Sequence, residues 1–128
     1  MVGHENIPYD DQAALTEYVW WNYYHLMTDL EKKADLAIAV RSKIAWNKDP
    51  ETLRQLHEEF RWVYEPDVEE ALKNGDSAFR LCARERLVSE RSGSIKINRC
   101  PACEKIVRTP REKICLWCGH DWRDGSTT

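Results

Sequence analysis

From Asp11 to Asn47 apolar side chains recur at Leu15, Val19, Tyr23, Leu26, Leu30, Ala34, Ala37, Val40 and Ile44. Their mean spacing, about 3.6 residues, is that of an ordinary α-helix, not the 3.5 of a sustained coiled coil. Neither Gly nor Pro interrupts the stretch before NKDP at 47–50. The pattern therefore predicts one long first helix of roughly 36 residues, ~54 Å at about 1.5 Å per residue. Asp10-Asp11 supplies the carboxylates that cap free backbone N–H groups and oppose the helix dipole.

The first half of that helix carries more than a stripe. In YVWWNYYHLM at 18–27, Trp20, Tyr24 and Met27 flank the stripe, whereas Tyr18 and Trp21 point well away from it. A helix apolar on several sides is usually enclosed by other elements. Two shorter helices are a thin cover, so Tyr18, Trp20, Trp21 and Tyr24 are candidates for a protein partner or for self-association through helix 1. The competing reading has these rings filling a small core.

A second helix is expected to start at Asp49-Pro50, with Leu53, Leu56, Phe60 and Val63 on its buried face and a break or kink imposed by Pro66. DVEEALKNG reads as a short helical piece ending at a left-handed Gly75. A third helix carries Ala78, Phe79, Cys82, Ala83 and Leu87 and stops near Ser92-Gly93, with Cys82 on its apolar side. Beyond the SGS hinge, alternation at Ile95 and Ile97 predicts a strand, and Lys105–Arg108 and Lys113–Cys115 two more around a TPRE turn. The tail GSTT reads as loose. The expected fold class is mainly α with a small β appendage: a three-helix domain over residues 1–92, then a cysteine-bearing unit over 93–128.

Charge separates along the chain. Residues 1–79 hold 8 basic and 16 acidic side chains, a net of −8; residues 80–113 hold 10 basic and 4 acidic, a net of +6. An acidic body followed by a basic end concerns partners, not fold. No apolar run nears the roughly 18 residues that span a bilayer, so no membrane partner is expected. The opening MVGHENIPYDDQ lacks a basic stretch followed by an apolar one, and a cytoplasmic location with reduced thiols is the expectation.

Reduced thiols bear on CPACEKIVRTPREKICLWCG at 100–119. Cys100, Cys103, Cys115 and Cys118 form two C-x2-C pairs eleven residues apart. Two intervening residues allow both thiolates of a pair to turn toward one ion, and two such turns complete a tetrahedral shell with metal–sulfur distances of about 2.3 Å for zinc. A redox dithiol is the competing use of such cysteines. The stretch resembles the zinc ribbon and rubredoxin-like families over about residues 94–123. CLWCG fits the usual knuckle, with Gly119 after the second cysteine; Glu104 replaces that glycine in the first, which predicts a less regular turn. The resemblance implies paired knuckles on small hairpins, zinc as the cofactor with iron as the alternative, and a hairpin tip that contacts nucleic acid or a large complex. The contact residues are then Arg99, Lys105, Arg108, Arg111 and Lys113.

Other chemistry is thin. A di-iron bundle needs Glu-x-x-His motifs, but Asn22 and Arg54 stand three residues before His25 and His57. HEEFR at 57–61 begins as a zinc-protease motif yet has Arg61 in place of the second histidine. His57 reads as a helix-surface residue, His25 as a core or interface residue, and His120 as a surface neighbour of the metal. Trp117 and Trp122 read as cover for the small ribbon core. On helix 3, Arg80, Arg84, Arg86 and Arg91 among Glu85 and Glu90 read as a salt-bridged surface or an extension of the basic end. The functional expectation is a non-enzymatic, zinc-binding interaction module, regulatory or nucleic-acid-associated. A protein–protein adaptor and an iron-loaded electron carrier are the alternatives.

Overall fold

The computed structural model describes residues 8–123. The tail GSTT lies outside them. Five α-helices are described: α1 Asp11–Asn22, α2 Asp29–Trp46, α3 Pro50–Glu59, α4 Pro66–Leu72 and α5 Asp76–Glu90. Short 3-10 turns cover Tyr24–Leu26, Arg61–Tyr64 and Ser92–Ser94. No helix among the described residues is long and apolar enough to cross a membrane.

The long first helix is two. Asp10 caps α1 as expected, accepting from the N–H groups of Gln12 at 3.0 Å and Ala13 at 3.2 Å. The chain then leaves helical geometry at Tyr23 (φ −124°, ψ 25°) and re-enters at Thr28. Thr28 and Glu31 form a reciprocal capping box: the Thr28 hydroxyl accepts from Glu31 N at 3.0 Å, and Glu31 Oε1 accepts from Thr28 N at 2.8 Å. Such a box satisfies two N–H donors that an unbroken helix would have bonded internally. The break also shifts the apolar register: Met27 is buried, whereas Leu30 is exposed.

The chain compacts into two units, one of residues 26–85 and one that joins the segments 1–25 and 86–128. That division differs from a boundary at residue 92: α1 compacts with the cysteine-bearing segment rather than with α2. In the 26–85 unit, α2 packs on α3, α4 and the 61–64 turn. It buries Ala34, Ala37, Val40 and Ile44, one face at helical spacing. Leu56, Val63, Val68, Leu72 and Phe79 are the other large buried side chains of the unit after Met27.

Punctuation follows the sequence signals. Asp49 caps α3 through Thr52, with Pro50 in the first turn; Pro66 opens α4; Gly75, at φ 101°, ends the α4 segment. Charged groups knit the surface of this unit. Arg41 donates to the Val63 carbonyl (Nε 3.0 Å, Nη2 2.6 Å), pairs with Glu69 and lies over the Tyr64 ring. Lys33 bridges Glu65 and Asp67, and Arg80 pairs with Asp35 at 2.6 Å. Arg86 pairs with Glu90 and Arg84 is buried, so three arginines of α5 have structural work within the chain.

The expected strands shrink to single bridges. Arg99 pairs with Ile106 and Ile114 with Asp121, both antiparallel. Ile95 and Ile97 join no ladder among the described residues. The reason is local: each knuckle returns the chain after a few residues, and the turn amides are directed at sulfur instead of a neighbouring strand.

Candidate metal centre

The two knuckles repeat each other's hydrogen bonds at an offset of fifteen residues. Cys100 N donates to Lys105 O (2.9 Å) and Glu104 N to Cys100 O (2.8 Å); Cys115 N donates to His120 O and Gly119 N to Cys115 O, both at 2.8 Å. One step outward, Val107 N–Asn98 O (3.1 Å) matches Trp122 N–Lys113 O (2.8 Å). The turn needs a positive φ at its fifth position: Gly119 has 82° and Glu104 has 65°. The first knuckle is therefore as regular as the second, with a non-glycine residue held in the left-handed region.

Backbone amides face the sulfurs. Ala102 N (3.3 Å) and Cys103 N (3.5 Å) donate to Cys100 Sγ, and Trp117 N donates to Cys115 Sγ at 3.3 Å. The amides of Lys105 and His120 do the same for Cys103 and Cys118. Such donors offset negative charge gathered on thiolates. Burial pushes the Cys100 thiol up, but hydrogen bonds from the Cys103 and Ala102 amides, together with those from the Cys118 and Cys103 thiols, outweigh it and bring the group to about 7. Cys103 has less amide support: burial and the neighbouring sulfurs Cys115, Cys118 and Cys100 raise it to about 12.

All four Sγ atoms lie within 4.8 Å of one another. Cys100–Cys118 and Cys103–Cys115 stand at 3.6 Å. A tetrahedron of sulfurs around zinc has edges of ~3.8 Å for bonds of about 2.3 Å, so these two edges already match, whereas a disulfide needs about 2.05 Å. The donor set, the distances and the amides fit a metal ion with four thiolate ligands. Cys100 and Cys115 are buried with Val107, and Cys103, Trp117 and Trp122 pack against them, the cover role expected of the two tryptophans.

α1 completes this unit. Asp11, Leu15, Tyr18 and Asn22 lie on one face at helical spacing, and three of the four reach the cysteine-bearing segment. Asp11 holds Arg99 with two bonds of 2.8 and 3.1 Å, and Arg99 also donates to Glu104 O at 3.0 Å. The Tyr18 hydroxyl donates to Lys96 O and accepts from Asn98 N at 3.2 Å. Asn22 Nδ2 donates to Arg108 O at 2.8 Å. Just before α1, Tyr9 accepts from Ile106 N at 3.0 Å and donates to Asp11 at 2.6 Å, while its ring meets Trp117 edge-on at 5.1 Å. The Arg99 and Tyr9 hydrogen bonds hold the Asp11 carboxyl down at about 2. Burial lifts the Tyr18 phenol to about 12, so it stays a proton donor at neutral pH.

Several expected contact residues thus have internal work. Tyr18 (3% exposed) and Trp20 (6%) are buried within the chain, whereas Trp21 (78%) and Tyr24 (38%) face solvent. Arg99 is paired, and the Lys105 ammonium sits 5.4 Å from the centres of both the Tyr9 and Trp117 rings, a cation–π position. Arg108, Arg111 and Lys113 remain exposed. Cys82, expected to be inside, is exposed; His25, expected in the core or at an interface, is exposed and so not in the core; His57 and His120 are exposed as expected, the latter stacked on Trp122 at 5.5 Å. Tyr9, Asn22 and Asn98 carried no sequence signal for these contacts, and Asp11 was read only as part of the helix cap, because their partners lie more than seventy residues away or on a turn.

Comparisons of the chain with protein-family models, with curated proteins and with solved structures find no match.

Proposed function

We propose that this chain is a non-enzymatic interaction module in which a zinc-ribbon-like centre, zinc held by four cysteine thiolates, fixes a basic hairpin tip for contact with nucleic acid. The observation that carries the reading is the tip itself. Asn98 Nδ2 donates to Thr109 O (2.9 Å) and Glu112 O (2.8 Å), and Asn22 holds Arg108 O, so the backbone is pinned while Arg108, Arg111 and Lys113 project from it exposed. Cations held on a rigid turn meet phosphates with little further loss of conformational freedom.

The donor set supports a structural role for the metal. Four protein thiolates close the shell, and hydrolytic zinc keeps a position for water. Thiolate donation also lowers the effective charge on zinc, which weakens it as a Lewis acid. Iron in the same shell would make a one-electron carrier, and the colour of purified protein separates the two metals. A cytoplasmic setting, where thiols stay reduced and free to bind a metal, belongs to the same reading.

The test is fluorescence anisotropy of labelled DNA and RNA titrated with zinc-loaded protein at low and moderate salt. Binding that weakens with salt and falls for Arg108→Ala/Arg111→Ala supports the reading. Absence of binding at low salt refutes it and favours the adaptor alternative.

A further inference from the structure

We infer that the hairpin tip and the last turn of α1 form one surface for single-stranded nucleic acid, with Arg108, Arg111 and Lys113 on the phosphates and Trp21 stacking on an unpaired base. This rests on the nucleic-acid reading above and narrows it. The sequence presents the basic tip and the aromatic helix as separate features more than eighty residues apart. The fold joins them: Asn22 Nδ2 donates both to Tyr18 O, within α1, and to Arg108 O, in the tip. Trp21, the residue before Asn22, is 78% exposed. Arg108, Arg111 and Lys113 form no ion pair among the described residues.

Exposed aromatic surface beside unpaired cations is the combination that binds single strands, because a base offers its π-face only when it leaves the duplex stack. Charge points the same way. Glu17 is exposed one turn before Trp21, and Asp10 is exposed at the start of α1. A stiff duplex laid across the tip would run its phosphates toward those carboxylates, whereas a flexible strand can turn away from them. Tyr24, 38% exposed, stands 6.1 Å from the Trp20 ring just beyond the end of α1.

The experiment uses the full zinc-loaded chain and a fluorescein-labelled oligothymidylate of about 20 nucleotides, free or paired with oligoadenylate, at about 50 and 200 mM salt. The single strand is expected to bind at least about tenfold tighter than the duplex. Trp21→Ala is expected to lower single-strand affinity about tenfold, with Trp21→Phe recovering most of it and duplex affinity unchanged. Because the ring is exposed, the far-UV circular dichroism of Trp21→Ala should match the parent. Equal affinity for strand and duplex, with Trp21→Ala silent, overturns this inference and leaves the nucleic-acid reading standing. No binding of either probe overturns both.

Discussion

Glu104 and Gly119 occupy the same position of two equivalent knuckles, which allows a reciprocal test of what the fold demands there. An L-residue in the left-handed region costs about 1–2 kcal/mol. Glycine gives back about 0.4–1 kcal/mol through its greater freedom in the unfolded chain. The difference predicts that Glu104→Gly gains about 1 kcal/mol and Gly119→Ala loses about the same. Nothing lies within 4 Å of a Cβ built on Gly119, so that loss comes from the backbone and not from a clash. The Arg99 bond to residue 104 is made to its carbonyl oxygen and survives the first substitution. Where metal binding is coupled to folding of the two knuckles, ~1 kcal/mol reads as about fivefold in affinity for added zinc. Competition against a chromophoric chelator at neutral pH measures it. Glu104→Gly should bind about fivefold tighter, Gly119→Ala about fivefold weaker, and the double variant close to wild type. Two effects of the same sign, or neither reaching twofold, would refute the equivalence of the knuckles.

Stripping zinc-loaded protein with a strong chelator should abolish hydrogen-exchange protection at Cys100, Cys115 and Trp122 while amides of α2 keep theirs, since the cysteine-bearing unit and the 26–85 unit compact separately; equal loss in both would contradict that. Cys103 and Cys118 lie above the ordinary thiol range without metal and must give up protons to bind it, so zinc affinity should fall as pH falls and binding should acidify a weakly buffered solution containing an indicator. Thr28→Ala removes half of the capping box and should cost about 1 kcal/mol of stability, read as a lowered denaturant midpoint of the helical signal; an unchanged midpoint would show that the break before α2 does not depend on its cap. Asn98→Ala removes two hydrogen bonds to the tip and should cost about 1–2 kcal/mol of stability, read by the same titration.

The four-cysteine cluster was fully legible in the sequence, because two C-x2-C pairs bring their own geometry: a two-residue spacing turns both sulfurs inward whatever surrounds them. The starts of α1 and α3 were legible too, since Asp10 and Asp49-Pro50 act on the nearest amides. The break between α1 and α2 was present as Thr-x-x-Glu at 28–31 but masked by an apolar period that runs through it without Gly or Pro. Periodicity records burial averaged over a segment, and a cap acts at one residue. What no local signal held is the use of α1. Tyr18 hydrogen-bonds Lys96 and Asn98, Asp11 pairs with Arg99, and Asn22 holds Arg108, all across more than seventy residues. Those contacts take Tyr18 and Arg99 from the candidate interface and bring the end of α1 that carries Trp21 against the backbone of the basic turn. The sequence alone determined where a metal can sit and where helices begin, through interactions spanning a few residues. Only the tertiary structure decided which aromatic and basic side chains are left for a partner, because an exposed side chain is one that the rest of the chain has not already engaged.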